Sequence, residues 1–166
     1  IDEGKGIILD ILPRERAIFR KKVGSESKRQ LIASWLDKAF VVQSLDQNFN
    51  VRRAERMIVQ IRSEGITPAL VLTKADLGFN MDDVEKALAH LKDLPVYVTT
   101  KNDSGSLERL KGDIHPGETI ILLGSSGVGK STLINALCGE EKLNTGEISD
   151  WSGKGKHTST RREMIL

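Results

Sequence analysis

From residue 39 onward, short apolar runs alternate with stretches of helical period. "AFVVQSL" (39–45) has the length and continuity of a buried strand. In the next stretch, "NVRRAERMIVQIRSEG", Val51, Ala54, Ile58 and Ile61 fall on one helical face, with Asn50 as cap and Gly65 as stop. "ALVLT" (69–73), after Pro68, reads as a second strand, and 81–92 as a second helix with Met81, Val84, Leu88 and Leu91 in register. "PVYVTT" (95–100) is a third strand, and 104–112 a short helix ending at Gly112. "ETIILLG" (118–124) is a fourth strand, and "KSTLINALCG" (130–139) the helix leaving it. Strands alternating with helices predict an α/β fold, with a mostly parallel sheet and helices on both faces.

The two ends follow a different pattern. Residues 7–12, "IILDIL", and the basic "PRERAIFRKK" (13–22) read as the end of a small β domain running into a connector. Residues 23–36 read as a linker and 37–166 as the α/β domain. From Glu140 to His157 the chain is polar, Gly-rich and without period, which predicts a loop, and "TRREMIL" is compatible with the start of another strand. A start at Ile1 and an end inside "EMIL" read as those of a piece of a longer protein.

Composition narrows the class. With 166 residues, 39% hydrophobic and 29% charged, the chain can bury the core of one domain. No apolar run approaches the roughly 18 residues of a membrane span, and no signal peptide is visible. The single cysteine, Cys138, cannot form an internal disulfide and suits a reducing cytoplasm as a small core residue. Net charge is only +2, yet Arg14, Arg16, Arg20, Lys21, Lys22, Lys28 and Arg29 face only Glu15 and Glu26 between Leu12 and Gln30. A solvated face accounts for such a run, and contact with RNA phosphate is the sharper reading. The stretch from Lys142 to Arg162 is basic as well.

"GSSGVGKST" (124–132) satisfies G-x-x-x-x-G-K-[ST] between a predicted strand and a predicted helix. The loop Gly124, Ser125, Ser126, Gly127, Val128, Gly129 would wrap phosphates with its backbone N–H groups. Lys130, a candidate catalytic residue, would place its charge at the β- and γ-phosphates, Ser131 would ligate Mg²⁺, and Thr132 completes the nucleotide-binding set. The site is therefore expected to bind a nucleoside triphosphate.

"TKAD" (Thr73, Lys74, Ala75, Asp76) ends the strand 69–73, at the sheet edge where such folds bind ligands. A carboxylate at Asp76 can accept from guanine N1–H and the exocyclic amine, a donor pair that adenine lacks. The Lys74 stem would cover the base and Thr73 would brace the loop. An aspartate there is also a common helix cap. "VTTKNDSG" (98–105) follows the next strand, and Thr99, Thr100 and Lys101 lie where a backbone N–H could meet the guanine oxygen. In an ordinary P-loop nucleotidase the phosphate loop comes first, whereas here it follows both base-reading segments. A site at a sheet edge depends on where strands lie rather than on chain order, so the arrangement predicts a circularly permuted GTPase.

At this point the chain resembles a known family. "ILPRERAIFR", "SLDQNFNVRRAERM", "PALVLTKADL", "LLGSSGVGKSTLINAL" and "GKGKHTSTRREMI" are together similar to the RsgA (YjeQ, EngC) family of bacterial GTPases, over about Ile7 to Leu166. The resemblance implies GTP/GDP and Mg²⁺ as ligands and a role in late assembly of the small (30S) ribosomal subunit. The implied partner is that subunit with its 16S rRNA, not DNA or a membrane, for a cytoplasmic, monomeric factor. It also implies an OB-fold domain, of which residues 1–22 would be the end, and a zinc domain outside this chain. "GKHTST" (155–160) matches the family's first switch, which places Ser159 at the second Mg²⁺ hydroxyl and makes His157 a candidate for positioning the attacking water. A loop residue or an RNA contact is the other reading of His157. "TKAD" departs from the commoner "NKxD", losing an amide but keeping a hydroxyl. His90 and His115 receive no role. A second switch of D-x-P-G type is expected beyond Leu166, so the piece is expected to bind GDP more reliably than GTP and to hydrolyse little. A free-standing metabolic nucleotidase or kinase, and a GTP-gated binding module of another permuted family, are the alternative functions.

Overall fold

The structure, a computed structural model, describes residues 8–21, 29–47, 49–78, 80–91, 93–100, 104–140, 143 and 164–165. Four strands form an all-parallel sheet: β3 (Lys38–Ser44), β4 (Thr67–Thr73), β5 (Val96–Val98) and β6 (Ile120–Leu123), in the spatial order β5-β4-β3-β6. Two shorter strands ahead of them, β1 (Ile18–Lys21) and β2 (Arg29–Ala33), make an antiparallel pair. The helices are α1 (Val51–Ser63), α2 (Met81–Leu88), α3 (Ser104–Gly112) and α4 (Lys130–Cys138).

The period of 2 along β3 and β4 sorts their side chains between two cores. Ala39, Val41, Leu70 and Leu72 face Ala54, Ile58 and Ile61 of α1 and Val84 of α2. Phe40, Val42, Ala69 and Val71 face Leu110 of α3 and Leu133 of α4. Both faces are covered, which is why these strands read as unbroken apolar runs. Each isoleucine of α1 buried in this way contributes about 1.5–3 kcal/mol. That helix starts at Asn50, whose side chain accepts from Arg53 N, and ends where Gly65 turns left-handed at φ 71°.

Topology places the crevice. The β3–α1–β4 and β4–α2–β5 crossovers advance in one direction with their helices on one face, and β5–α3–β6 then returns to the far side of β3. Right-handed crossovers require the helix to change face when the direction reverses. The reversal falls between β3 and β6, so ligand is expected outside their carboxyl ends.

At the opposite end of the sheet, the connector from α3 to β6 is held by charge. Lys38 Nζ reaches Glu118 Oε2 at 3.1 Å and Asp113 Oδ1 at 3.3 Å, and it also donates to the Asp113 carbonyl. Burial acts to lower the Lys38 pKa, but hydrogen bonds and charges from Glu118 and Asp113 outweigh it and leave the value raised. Asp37 accepts from Thr119 N at 2.8 Å with one carboxylate oxygen and from Arg16 at 2.8 Å with the other.

The entry to the domain differs from expectation. Residues 29–36, read as part of a linker, instead hold β2, in register with β1 at Phe19↔Leu31 and Arg20↔Gln30. Ile18 and Leu36 are buried in the α1-side core, with Ile32 and Ala33 packed against it. Polar neighbours on both sides hide this short apolar run from a composition-based reading. Strand β1 lies inside the stretch read as a basic connector, whereas residues 8–15 form no strand and Leu9 is 93% exposed. Helix α2 stops at Leu88, short of the expected 92. The loop expected at 140–157 falls almost wholly outside the described residues, and Met164 and Ile165 carry no strand.

Candidate functional site

Strand β6 delivers the chain into the phosphate-loop sequence against the end of β3. A Cβ on Gly124 would collide with the Val42 carbonyl oxygen and come within 3.1 Å of Val128 Cγ2, so only glycine fits there. Gly127 and Gly129 take φ values of 78° and 93°, which turn the backbone into α4. Ser126 and Gly127 form a turn, and among the described residues no hydrogen bond is made by the backbone N–H groups of Ser125, Ser126, Gly127 or Gly129. Lys130 folds back beneath the loop and donates to the carbonyls of Gly124 (3.0 Å) and Ser125 (2.7 Å). An ammonium has three donors, so two hold the loop and one is left for an anion. Burial lowers the Lys130 pKa from its ordinary 10.5. N–H groups at a helix start with a lysine beneath them are the donor set a phosphate requires. Ser131 is half buried in the first turn of α4, and Thr132 is exposed.

The "TKAD" sequence lies two strands away and touches this loop directly. Thr73 ends β4 and is buried; its hydroxyl donates to the Val128 carbonyl at 2.6 Å and lies 3.3 Å from the Gln43 carbonyl. Lys74 adopts the left-handed conformation at φ 59°, and its ammonium pairs with Asp46 Oδ2 at 3.1 Å. Ala75 and Asp76 open a single 3-10 turn, in which Ala75 packs against the core and Asp76 is exposed. At the end of β5, Thr99 is buried and donates to the Leu72 carbonyl through its N–H (2.7 Å) and hydroxyl (3.3 Å). The Thr99 carbonyl accepts from Ala75 N at 3.4 Å, and Thr100 follows half buried. Lys101, His157 and Ser159 lie outside the described residues.

Three contributors escape motif reading. Asp46, just past β3, is the partner of Lys74, and an acid at the end of the neighbouring strand was its only signal. The Gln43 side chain is buried and bonds both polar backbone groups of Asn50, which fixes the start of α1. Asn135 of α4 grips Leu143 through its N–H (2.8 Å) and carbonyl (2.7 Å). His90 meets Glu55 on the surface, His115 is exposed, and Cys138 is half buried.

The strand order, the loop at the reversal point and base motifs that precede it in the chain define a circularly permuted GTPase fold. Solved structures agree: YjeQ from Thermotoga maritima superposes with a TM-score of 0.59 at 22% identity, covering 82% of this chain and 47% of that one. YloQ, described as a circularly permuted GTPase, gives 0.53 at 22% identity, covering 77% and 50%. Residues 11–166 match the family model described as RsgA GTPase, and the chain belongs to that family. Small ribosomal subunit biogenesis GTPase RsgA 1 of Bacteroides thetaiotaomicron is 57% identical over 166 residues, 99% of this chain and 47% of that protein. The RsgA of Xylella fastidiosa is 42% identical over 163 residues, 95% of this chain and 47% of that protein. The chain spans about half the length of these relatives.

Proposed function

We propose that this domain binds guanine nucleotide and hydrolyses GTP as part of a factor for late maturation of the small ribosomal subunit. The observation that carries the reading is the turn of inward N–H groups above Lys130, joined by the Thr73–Val128 bond to the strand that leads into Asp76. The names of the relatives, which call them GTPases of small-subunit biogenesis, support the wider role.

In this reading Ser125 to Gly129 and Lys130 bind the β- and γ-phosphates, and Asp76 accepts from guanine N1–H and the amine. Lys74, held by Asp46, lays its stem over the base, and Thr99, Thr100 and Lys101 border the guanine oxygen. The Ser131 hydroxyl, a hard oxygen donor at the start of α4, fits Mg²⁺, with Ser159 as a second donor. When bound, that ion neutralises charge on the phosphates. His157 would orient the attacking water. An OB-fold ahead of the domain, 16S rRNA contact and a monomeric, cytoplasmic state complete the proposal. For RNA, Arg14 and Arg29 are exposed, whereas Arg16 and Arg20 are engaged by Asp37 and Gln30.

Titration with fluorescent GDP and ADP tests the site. GDP should bind, ADP should not, and Asp76→Ala should abolish the preference. Equal affinity for both nucleotides would overturn the base assignment. GTP hydrolysis by the full-length protein, with and without purified small ribosomal subunits, tests the wider role, for which stimulation is expected and indifference points to metabolic work.

A further inference from the structure

Arg53 lies in the first turn of α1, on the base-reading side of the molecule, yet its guanidinium ends at the phosphate loop. Its Nη1 donates to the Ser125 hydroxyl at 3.2 Å, across 72 residues of sequence. Ser125 is thus held at two points, because its carbonyl accepts from Lys130 Nζ at 2.7 Å. Two side-chain bonds on one residue restrict its backbone, and that backbone sets the direction of the N–H groups that follow.

The arginine is itself well placed to hold something. Its backbone N–H is capped by Asn50 Oδ1 at 3.0 Å. Asn50 is fixed in turn by the buried Gln43 side chain, with bonds of 3.0 and 3.1 Å. The Gln43 carbonyl lies beside the Thr73 hydroxyl that holds Val128. Both shoulders of the loop, Ser125 and Val128, are therefore referenced to the ends of β3 and β4, one through Arg53 and the other through Thr73. A guanidinium suits this task, since it is charged at all relevant pH and offers donors in a rigid plane.

We propose that Arg53 is a positioning residue for the phosphate loop: through the Ser125 hydroxyl it preorganises the N–H cradle and thereby raises nucleotide affinity. The proposal rests on the nucleotide-binding reading above. A bland surface hydrogen bond would leave affinity unchanged.

Equilibrium titration of fluorescent GDP separates the two. The chain, R53A, R53K, R53Q, S125A and the R53A/S125A double variant are compared, each with a thermal melt in the absence of nucleotide. R53A and S125A should each weaken GDP binding about three- to tenfold, the scale of one ordinary, solvent-exposed hydrogen bond. The double variant should be no weaker than the worse single one, R53K should recover part of the loss, and the melts should shift little. The proposal is overturned if R53A binds within twofold of the unaltered chain. It is also overturned if the single losses multiply in the double variant, or if weaker binding merely follows a lower melting temperature. Failure of the unaltered chain to bind GDP would sink the nucleotide reading and this proposal with it.

Discussion

The Thr73 hydroxyl donates to the Val128 carbonyl at 2.6 Å, and with this bond the end of β4 touches the Gly-rich loop across 55 residues of chain. Thr73 is 6% exposed, so no water replaces the donor readily. Thr73→Val keeps the shape and removes the hydroxyl, leaving a carbonyl unsatisfied at a cost of about 1–3 kcal/mol. The urea midpoint should fall and GDP affinity should drop with it. A variant as stable and as tightly binding as the parent would show that this contact braces nothing.

Gly124→Ala tests the close approach of the loop to β3. The new Cβ meets the backbone oxygen of Val42, which cannot rotate away as a side-chain tip could. Overpacking of this kind costs about 1–3 kcal/mol, and the displaced loop should lose nucleotide binding. Gly78→Ala is the comparison, because nothing lies within 4 Å of its added carbon and only its φ of 78° is strained. It should lose some stability but keep GDP affinity.

Lys130 gives an alkaline signature. Burial lowers its pKa, so between that lowered value and 10.5 the unfolded chain binds more protons than the native one. In that window its contribution to stability rises with pH, as the cost of a buried charge is relieved. Nucleotide affinity should move the opposite way, falling as the ammonium is neutralised. Titrating GDP across the window should show this decline starting below 10.5. Lys130→Arg, weaker throughout, should lack the part of this decline that belongs to the lysine and keep only the part from loss of the guanine N1 proton.

The far end of the sheet gives an acid signature. The Glu118 carboxyl is held below its ordinary 4.5, first by the His115 N–H and then by Lys38. A lowered carboxylate contributes stability above 4.5 and loses it as pH falls through the lowered value. Glu118→Gln should be less stable near neutrality and lose less on acidification. Coincident urea midpoints for the two proteins down the acid limb would show Glu118 to be a bystander.

The sheet and its ligand edge were legible because their signals are local. A run such as 39–45, a helical face such as Val51–Ile61 and the nine residues from Gly124 each carry their meaning within one stretch. Asp46, Gln43 and Arg53 are ordinary residue types whose roles come from partners brought close by folding, so no local pattern marks them. Strand β2 was hidden for a related reason. Leu31, Ile32 and Ala33 are only half buried, and their neighbour in the sheet is β1 rather than the main domain.

The connector between α3 and β6 makes its tightest turn at Pro116 and Gly117, both exposed, at the pole away from the phosphate loop. It is the covalent tie between the half that carries Asp76 and the half that carries Lys130. Elsewhere the halves meet through the β3–β6 pairing, the packed faces of α3 and α4, and side-chain clasps at each end. In the proposed reading the nucleotide site is a seam, and a guanine nucleotide laid across it would be a rivet, with its base in one plate and its phosphates in the other. Parting the plates would require the rivet to leave, so ligand would be felt as mechanical resistance as much as thermal stability. A cut at the exposed turn would be the place to feel it.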